Sequence, residues 1–425
     1  MEPFDHHSPE YGGDPQAVLR PLRRSCPVTY SPAHGGYWVL TRYADIQRAA
    51  EDTETFSSDH DLLEERRGYK GITIPETGSF RRNPVEVDPP EFLQYRRLLN
   101  PHFSPSAIRA RLPKIERWTA MCLDRVIETG HMDGVRDLAN PIPALFTVDF
   151  LGLPAEEWFD WTWPQHQLNF APPGSQESHN AKRQMAVNQE RLADRVELRR
   201  SEPADDLITE LVKAEVAGRR LTDREIVEVC MTIISGGFAT TTALTGHALA
   251  WLSGHPEAKA WLLEDFEGRI GPATEELLRW STPAHALGRT VTRDVEIGGA
   301  SLHEGDRVLL CWASANHDES VFSDPDAVQL DRTPNRHAAF GFGAHRCIGG
   351  TFARAEFAVI LRQVLARIPD FHVDEAQTKR FPSIGVISGF ISLPCTFTPA
   401  RRQGNNDTDD LLAVDWDSSA YHNVG

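Results

Sequence analysis

Phe340-Gly-Phe-Gly-Ala-His-Arg-Cys347-Ile-Gly349 is the stretch that decides the fold of this chain. One cysteine sits in a loop punctuated by Gly341, Gly343 and Gly349, with His345 and Arg346 just before it. An apolar, helix-forming run follows from Thr351 to Leu365. Glycines here let backbone amides approach the sulfur where a Cβ would block them. On these residues alone two readings stand. Cys347 is either a buried structural thiol, the usual fate of a lone cysteine, or a thiolate ligand of a metal-bearing group, with Phe340 covering the site against water.

Working outward, the composition is that of an ordinary globular protein: 40% hydrophobic and 25% charged over 425 residues, enough chain to bury a large core. The net charge of −17 argues against nucleic-acid binding, which needs a basic surface, but leaves room for a local basic patch. The six cysteines, Cys26, Cys122, Cys230, Cys311, Cys347 and Cys395, are scattered with no CxxC. That excludes a zinc ribbon or a redox dithiol and suits a reducing compartment. Met1-Glu-Pro-Phe-Asp-His-His lacks an apolar signal core, and no stretch reads as a membrane span of about 20 apolar residues. The expectation is a cytoplasmic protein with no membrane or nucleic-acid partner.

Residues 1–13 read as a polar, extended lead-in, and residues 402–425 as an acidic, disordered tail in which Leu411, Leu412, Val414 and Trp416 are odd. Between them, Gly35–Thr41 reads as a strand and Tyr43–Glu51 as a helix. Asp59–Val87 is a long irregular stretch of the kind that carries function. Residues 91–212 read as mostly helical, with a break from Trp161 to Gly174. Arg289–Leu310 alternates in period two and predicts paired strands, and Ile384–Phe397 predicts a further pair. This is a mainly helical pattern with small sheets and not βαβ alternation.

Two further motifs stand out. Thr222-Asp-Arg-Glu225 is a capping box that opens an apolar helix running to about Ser253. Gly236 and Gly237 lie in its middle, each costing about 1 kcal/mol relative to alanine. That predicts a kink or a close approach, by a ligand or simply by a neighbouring helix. Glu276-Leu-Leu-Arg279 is spaced for an i, i+3 ion pair, although such pairs are usually solvated and weak, and Glu275 also reaches Arg279.

Taken whole, Phe-Gly-x-Gly-x-His-x-Cys-x-Gly resembles the haem-binding signature of the cytochrome P450 family, and the likeness runs in order from about Asp14 to Arg401. The resemblance implies a mainly α fold with small β-sheets, a triangular helical prism in which residues 14–401 form one haem-thiolate domain around haem b. It makes Cys347 the proximal iron ligand, with Phe340, Gly341 and Gly349 around it. Arg96, Arg289 and His345 occupy the positions that meet the haem propionates, and Glu276, Arg279 and Arg332 those that fix the proximal core. Gly236, Gly237, Thr240 and Thr241 match the oxygen-binding groove, with Thr240 ordering water beside bound oxygen. The implied substrate pocket draws on Asp59–Val87, Trp161–Ser175, Gly236–Thr240, Pro283–Leu287 and Val386–Ser388. His285, Ala286, Leu287, Val386 and Ile387 are its candidate lining residues, and Trp161, Trp163 and Phe170 lie near a lid. His285 reads equally as a substrate anchor or as a locally hydrogen-bonded histidine.

The chain departs from the family pattern twice. Phe92 stands where a histidine often precedes the first arginine by four residues. Ala239 stands where an Asp or Glu usually precedes the threonine, so the usual carboxylate relay for the two protons of O–O cleavage is missing. Water ordered by Thr240 or Thr241, or an acid or hydroxyl on the substrate, would have to serve.

The implied reaction is monooxygenation of a small, largely apolar substrate by O2. Electrons would come from a ferredoxin, a ferredoxin reductase and NAD(P)H, since no flavin or iron–sulfur domain is visible. Arg96, Arg97 and Arg346 offer that partner a basic face on a monomeric enzyme. Oxidative coupling, desaturation, peroxide-driven oxidation and a non-catalytic haem sensor are the alternatives.

Overall fold

Caps and prolines set the ends of the helices in the computed structural model, which describes residues 3–61, 68–76, 80–404, 409–414 and 416. Ser8 caps α1 (Pro9–Gly13) and Asp14 caps α2 (Pro15–Ser25), each accepting from amides of the first turn. α3 (Tyr43–Glu51) and α4 (Glu91–Leu99) precede α5 (Pro105–Val126), which Ser104 caps and a proline starts. The helical body is α6 (Pro141–Leu151), α7 (Trp158–Phe170), α8 (Gln176–Ser201), α9 (Leu207–Lys213), α10 (Asp223–Gly237), α11 (Ala239–Ser253), α12 (Pro256–Glu264) and α13 (Phe266–Ser281). A single turn, α14 (Trp312–Ala315), and α15 (Gly350–Arg367) follow.

The main sheet runs β1 (Val28–Ser31), β2 (Tyr37–Leu40), β10 (Arg307–Leu310), β7 (Leu287–Val291), β3 (Phe56–Ser57) across its width. β2 and β10 are parallel. Parallel neighbours need a crossover, and here the crossover is most of the helical body. β4 (His131–Asp133), β14 (Pro394–Thr396) and β11 (His372–Val373) make a second sheet. Three two-stranded ribbons complete the set: β5 (Glu215–Val216) with β6 (Arg219–Arg220), β8 (Val295–Ile297) with β9 (Ala300–Leu302), and β12 (Lys379–Arg380) with β13 (Phe390–Ser392). The helices enclose one large apolar core, and the main sheet shares a second with α1–α3.

Several expectations are corrected. The described part of the expected lead-in, residues 3–13, is not extended. Phe4 and Tyr11 are buried in the sheet core and residues 9–13 are helical, because three aromatic and histidine rings from this segment (Phe4, His6, Tyr11) pack around Tyr37 and His285. The tail is docked where it is described. Leu412 is buried, the Trp158 indole donates to the Leu411 carbonyl at 2.9 Å, and Trp416 packs edge-on against Trp158, Phe159 and Trp163. Of the acidic and polar run Asn405 to Asp410 that suggested disorder, residues 405–408 lie outside the described residues, and Asp409 and Asp410 open a 3-10 turn, Asp409–Leu412.

The break at Trp161–Gly174 begins only after Phe170, since α7 carries Pro164 inside it. The strands of Ile384–Phe397 do not pair with each other: β13 pairs β12, while β14 pairs β11 and β4. The long apolar helix is two helices that meet at Phe238 (φ −104°, ψ −45°). Together Asp223–Ser253 is 31 residues long and apolar enough to cross a membrane, contrary to the sequence reading. Its most apolar window is 72% buried inside the fold, so core packing accounts for the composition.

Candidate active site

The Cys347 loop is set by backbone geometry. Gly341 and Gly343 have φ of 69° and 65°, the left-handed region that favours glycine. A Cβ on Gly343 would also lie 2.9 Å from the Ala50 carbonyl oxygen. The Cys347 amide donates to the Phe340 carbonyl at 2.9 Å and closes the loop. α15 then starts with no side-chain cap at Gly349. The amides of Gly349 and Gly350, spare at the helix N-terminus, turn to Cys347 Sγ instead. Burial within the fold pushes the thiol up; those amides and the charges of Arg96 and Arg354 oppose it. The accessible surface of Cys347 belongs to an internal cavity and not to the outer face of the molecule.

Behind this loop lies a buried ion-pair knot. Glu276 and Arg279 are fully buried and meet at 2.8 Å. The same carboxylate accepts from Arg332 at 3.0 Å, the Gln329 amide at 2.8 Å and Asn335 Nδ2 at 3.1 Å. Arg279 spends its other donors on the carbonyls of Asn316, Pro325 and Ala327. Buried charges are tolerated only when satisfied this fully. Glu275, the competing carboxylate, points elsewhere, to Arg354 and to His337 at 2.9 Å.

The cavity has a volume of about 330 Å³ and lies between this loop and the α10–α11 junction. Gly236, Gly237, Thr240 and Thr241 line it. The two glycines do different jobs. A Cβ on Gly237 would lie 2.7 Å from Thr147 Oγ1 on α6, so that glycine permits helix packing. A Cβ on Gly236 would meet nothing within 4 Å, so that glycine keeps the cavity open. The Thr240 hydroxyl donates to the Gly236 carbonyl at 3.2 Å across the helix junction. Ala239 is not in the wall; it is packed in the helical core.

At the sheet side, Arg289 and His345 line the same cavity. Arg289 is buried, forms no ion pair among the described residues, and donates to the Gly288 carbonyl; burial lowers its pKa to about 10. His345 Nε2 is 3.0 Å from Ser58 Oγ, and its Nδ1 is buried without a partner. Burial, with Arg289 and Arg96 adding to it, holds the ring neutral with a pKa of about 3. Phe92 is buried with its ring 4.1 Å from that of His345, so the position contributes packing and no polar contact. Arg96 lies outside the cavity wall, half-buried, and donates to the Arg346 carbonyl at 2.8 Å.

Other predicted pocket residues divide. Leu287, Val386 and Ile387 line the cavity, whereas His285 and Ala286 do not. His285 is fully buried with Nδ1 3.3 Å from the Tyr11 hydroxyl, and burial brings its pKa down to about 3. Its role is the local hydrogen bond, because the N-terminal segment covers it. Trp161 and Trp163 also face away. Trp161 lies under Arg191 and Trp163 stacks on Phe159. Phe170 packs on Phe381 beside the cavity.

From α7 the wall takes Gln165 and Asn169 instead, and from α6 it takes Phe146, Thr147 and Phe150. Nearly every residue of α6 is buried, so it has no amphipathic stripe from which to read a cavity face. Glu356 on α15 also reaches the wall. Its Oε1 has no partner, and burial raises its pKa to about 8, so it is neutral at physiological pH. A Glu one turn into an apolar helix gives no such signal in sequence.

These residues fit a large anionic metallo-group. The donor set is a single thiolate, and among the described residues no three His, Cys, Asp or Glu side chains cluster as a cage. A metal held here must therefore bring its remaining donors with it. Arg289 without a counter-ion and His345 with an open Nδ1 suit carboxylates on the rim of that group.

The comparisons agree. Residues 156–393 match the family model described as Cytochrome P450. Cytochrome P450 130 of Mycobacterium tuberculosis is 35% identical over 86% of this chain and 90% of its own. The steroid C26-monooxygenase of Mycolicibacterium smegmatis is 33% identical over 91% of this chain and 94% of its own. A Mycobacterium marinum cytochrome P450 solved in complex with pseudoionone superposes with a TM-score of 0.82 at 28% identity, over 93% of this chain and 100% of that one. The mainly helical architecture with small sheets is the fold of those structures, and the family implies haem. With its thiolate loop, its kinked distal helix and this kinship, the chain belongs to the cytochrome P450 family and is a haem-thiolate monooxygenase.

Proposed function

We propose that this enzyme uses haem b, bound through Cys347, to insert one atom of O2 into an elongated, largely apolar organic substrate, with electrons from a ferredoxin, its reductase and NAD(P)H. The observation that carries the reading is Cys347 Sγ opening into an apolar cavity whose opposite wall is the Gly236–Thr241 junction. The haem-binding unit is taken as residues 14–401, together with the N-terminal residues packed against it. Two relatives support the substrate class by what their names and titles say of them: one acts at a steroid C26 position and one binds pseudoionone. The chain is read as a cytoplasmic monomer.

Haem, when bound, supplies the redox iron at which O2 is activated. The protein's own residues do the rest. Cys347 would hold the iron, and the Gly349 and Gly350 amides would steady charge on its sulfur. The Glu276–Arg279–Arg332 knot would keep the loop from shifting, because each buried charge in it is already satisfied. Arg289 and the His345 Nδ1 would bind the propionates, and Arg96 would steady the Arg346 turn beside them. Phe340 would exclude water from the thiolate side.

On the substrate side Thr240 would orient water through its hydroxyl, releasing the Gly236 carbonyl as it does so. Thr241 lies beside it. With alanine at 239, protons would arrive through such water or through a polar group on the substrate. Arg97 and Arg346 are exposed near the Cys347 loop and suit an acidic electron donor.

The test is reconstitution. Purified enzyme with ferredoxin, reductase and NAD(P)H should give an oxygenated product that carries label from 18O-enriched O2. Turnover with peroxide and none with the electron-transfer chain would overturn the electron-supply reading.

A further inference from the structure

Two cavities meet at one polar neck. The outer one, about 120 Å³, lies against residues of α7 and α8 and against Ile74, Ser383 and Gly385. It shares Thr73, Arg82, Gln165, Asn169 and Val386 with the wall of the inner cavity. Gln165 and Asn169 stand four residues apart on α7 and so share one helix face. Gln165 Oε1 and Asn169 Nδ2 are buried without a hydrogen-bond partner among the described residues. Buried polar groups in folded proteins almost always have one, and two side-chain amides left open on the same face mark a place where an occupant completes them.

The charges around the neck decide what kind of occupant. Arg82 is committed to Glu86 at 3.3 Å, and Glu86 is fully buried. Glu76 is committed to His60 at 2.8 Å. His7 is held between Ser383 Oγ at 2.8 Å and the Ile74 carbonyl at 3.1 Å, and burial lowers its pKa, which keeps it neutral. Lys182 reaches the outer cavity opposite the carboxylate of Glu76, so the cavity carries charge of both signs. None of this selects an ion at the neck, whereas a primary amide both donates to and accepts from neutral oxygen groups.

We propose that Gln165 and Asn169 form a specificity collar for an uncharged oxygen function on an elongated substrate: a hydroxyl or amide, which meets both Gln165 Oε1 and Asn169 Nδ2, or a ketone, which accepts from Asn169 Nδ2. The substrate's apolar end lies in the inner cavity on the Cys347 side and its far end lies in the outer cavity. The proposal rests on the monooxygenase reading above and adds to it the chemistry of the substrate.

Straight-chain probes of equal length test it: an alkane, a methyl ketone, a primary amide and a carboxylate, titrated into the haem-loaded enzyme. Dissociation constants come from the haem spin-state shift and independently from calorimetry. The ketone and amide should bind about tenfold tighter than the alkane, equivalent to about 1.4 kcal/mol. In Gln165→Leu/Asn169→Leu that preference should fall to about twofold or less with alkane affinity retained. The near-isosteric Gln165→Met should lose part of it and guards against a misfolded double variant.

Tightest binding by the carboxylate would hand the neck to Lys182 and overturn the collar. Equal or absent binding of ketone, amide and alkane, with the thiolate-type band of the reduced carbon monoxide complex intact, would mean that water alone satisfies the amides, and would overturn it too. Loss of that band in the wild-type enzyme would instead strike the reading underneath.

Discussion

On the thiolate side of the cavity, the carboxylate of Glu276 and the guanidinium of Arg279 are sealed from solvent and have partners at every turn. On the side of α7, Gln165 Oε1 and Asn169 Nδ2 lie buried in the cavity wall with no partner among the described residues. The first arrangement resists displacement, since any shift strands a buried charge. The second leaves hydrogen-bonding capacity to be used by substrate or water. A fixed ligand loop and an adaptable opposite wall are what a family needs when its metal chemistry stays constant and its substrates vary.

The largest effect that separates the two sides should come from Cys347→Ser. It should abolish turnover and remove the thiolate-type band of the reduced carbon monoxide complex; a surviving band would sink the assignment of the ligand. Next, Glu276→Gln leaves Arg279 and Arg332 buried without their carboxylate, and should cost about 3–5 kcal/mol in urea denaturation, with easier loss of haem. A change within error would mean that the knot is not what holds the loop.

Glu356 gives a pH-dependent test on the same wall. Its folded pKa is about 8 against an ordinary 4.5. The native state therefore binds that proton more tightly than the unfolded chain. The associated stability is complete below about pH 4.5 and is lost as pH rises through 8, on the order of 5 kcal/mol in all. Glu356→Gln should remove this fall and be the more stable protein at alkaline pH. Parallel stability profiles for the two proteins would show the carboxyl to be solvated or paired.

Effects on the opposite wall should be smaller and should appear in coupling and not in stability. Thr240→Ala should lower product formed per NADPH consumed by about tenfold, equivalent to about 1.4 kcal/mol, with the carbon monoxide spectrum unchanged. Unchanged coupling would move proton delivery to Thr241 or to the substrate. The smallest change is expected from Trp416→Ala. It removes the edge-on contacts with Trp158, Phe159 and Trp163, which brace α7 against the tail. A loss of about 1 kcal/mol in unfolding free energy, with a modest change in ligand affinity, is the expected outcome. No change in either would make the tail a passive passenger.

Legibility in the sequence follows the locality of the signal. Gly341, Gly343 and Gly349 around Cys347 and the capping box at Thr222 act within a few residues and can be read from residue type and spacing; the Glu276–Arg279 spacing is as local, but it leaves Glu275 open, and it is the family resemblance that favours Glu276. The strand alternation of 289–310 is legible for the same reason. Trp161 and Trp163 mislead because an aromatic run looks the same whether it lines a cavity or braces a helix against a tail more than two hundred residues away. His285 stays open between two readings in the sequence because Tyr11, its partner, comes from the other end of the chain.

The sequence by itself determined the mainly helical architecture and the missing acid at Ala239, and singled out Cys347 as the expected ligand, because these depend on residue identity and short spacing. Tertiary structure alone decided which glycine faces the cavity and which faces Thr147, that Glu275 turns to Arg354 and His337, and that α7 presents amides and not tryptophans to the wall. Each of those outcomes depends on what lies across a helix from the residue. Periodicity names the face, and only packing names the neighbour.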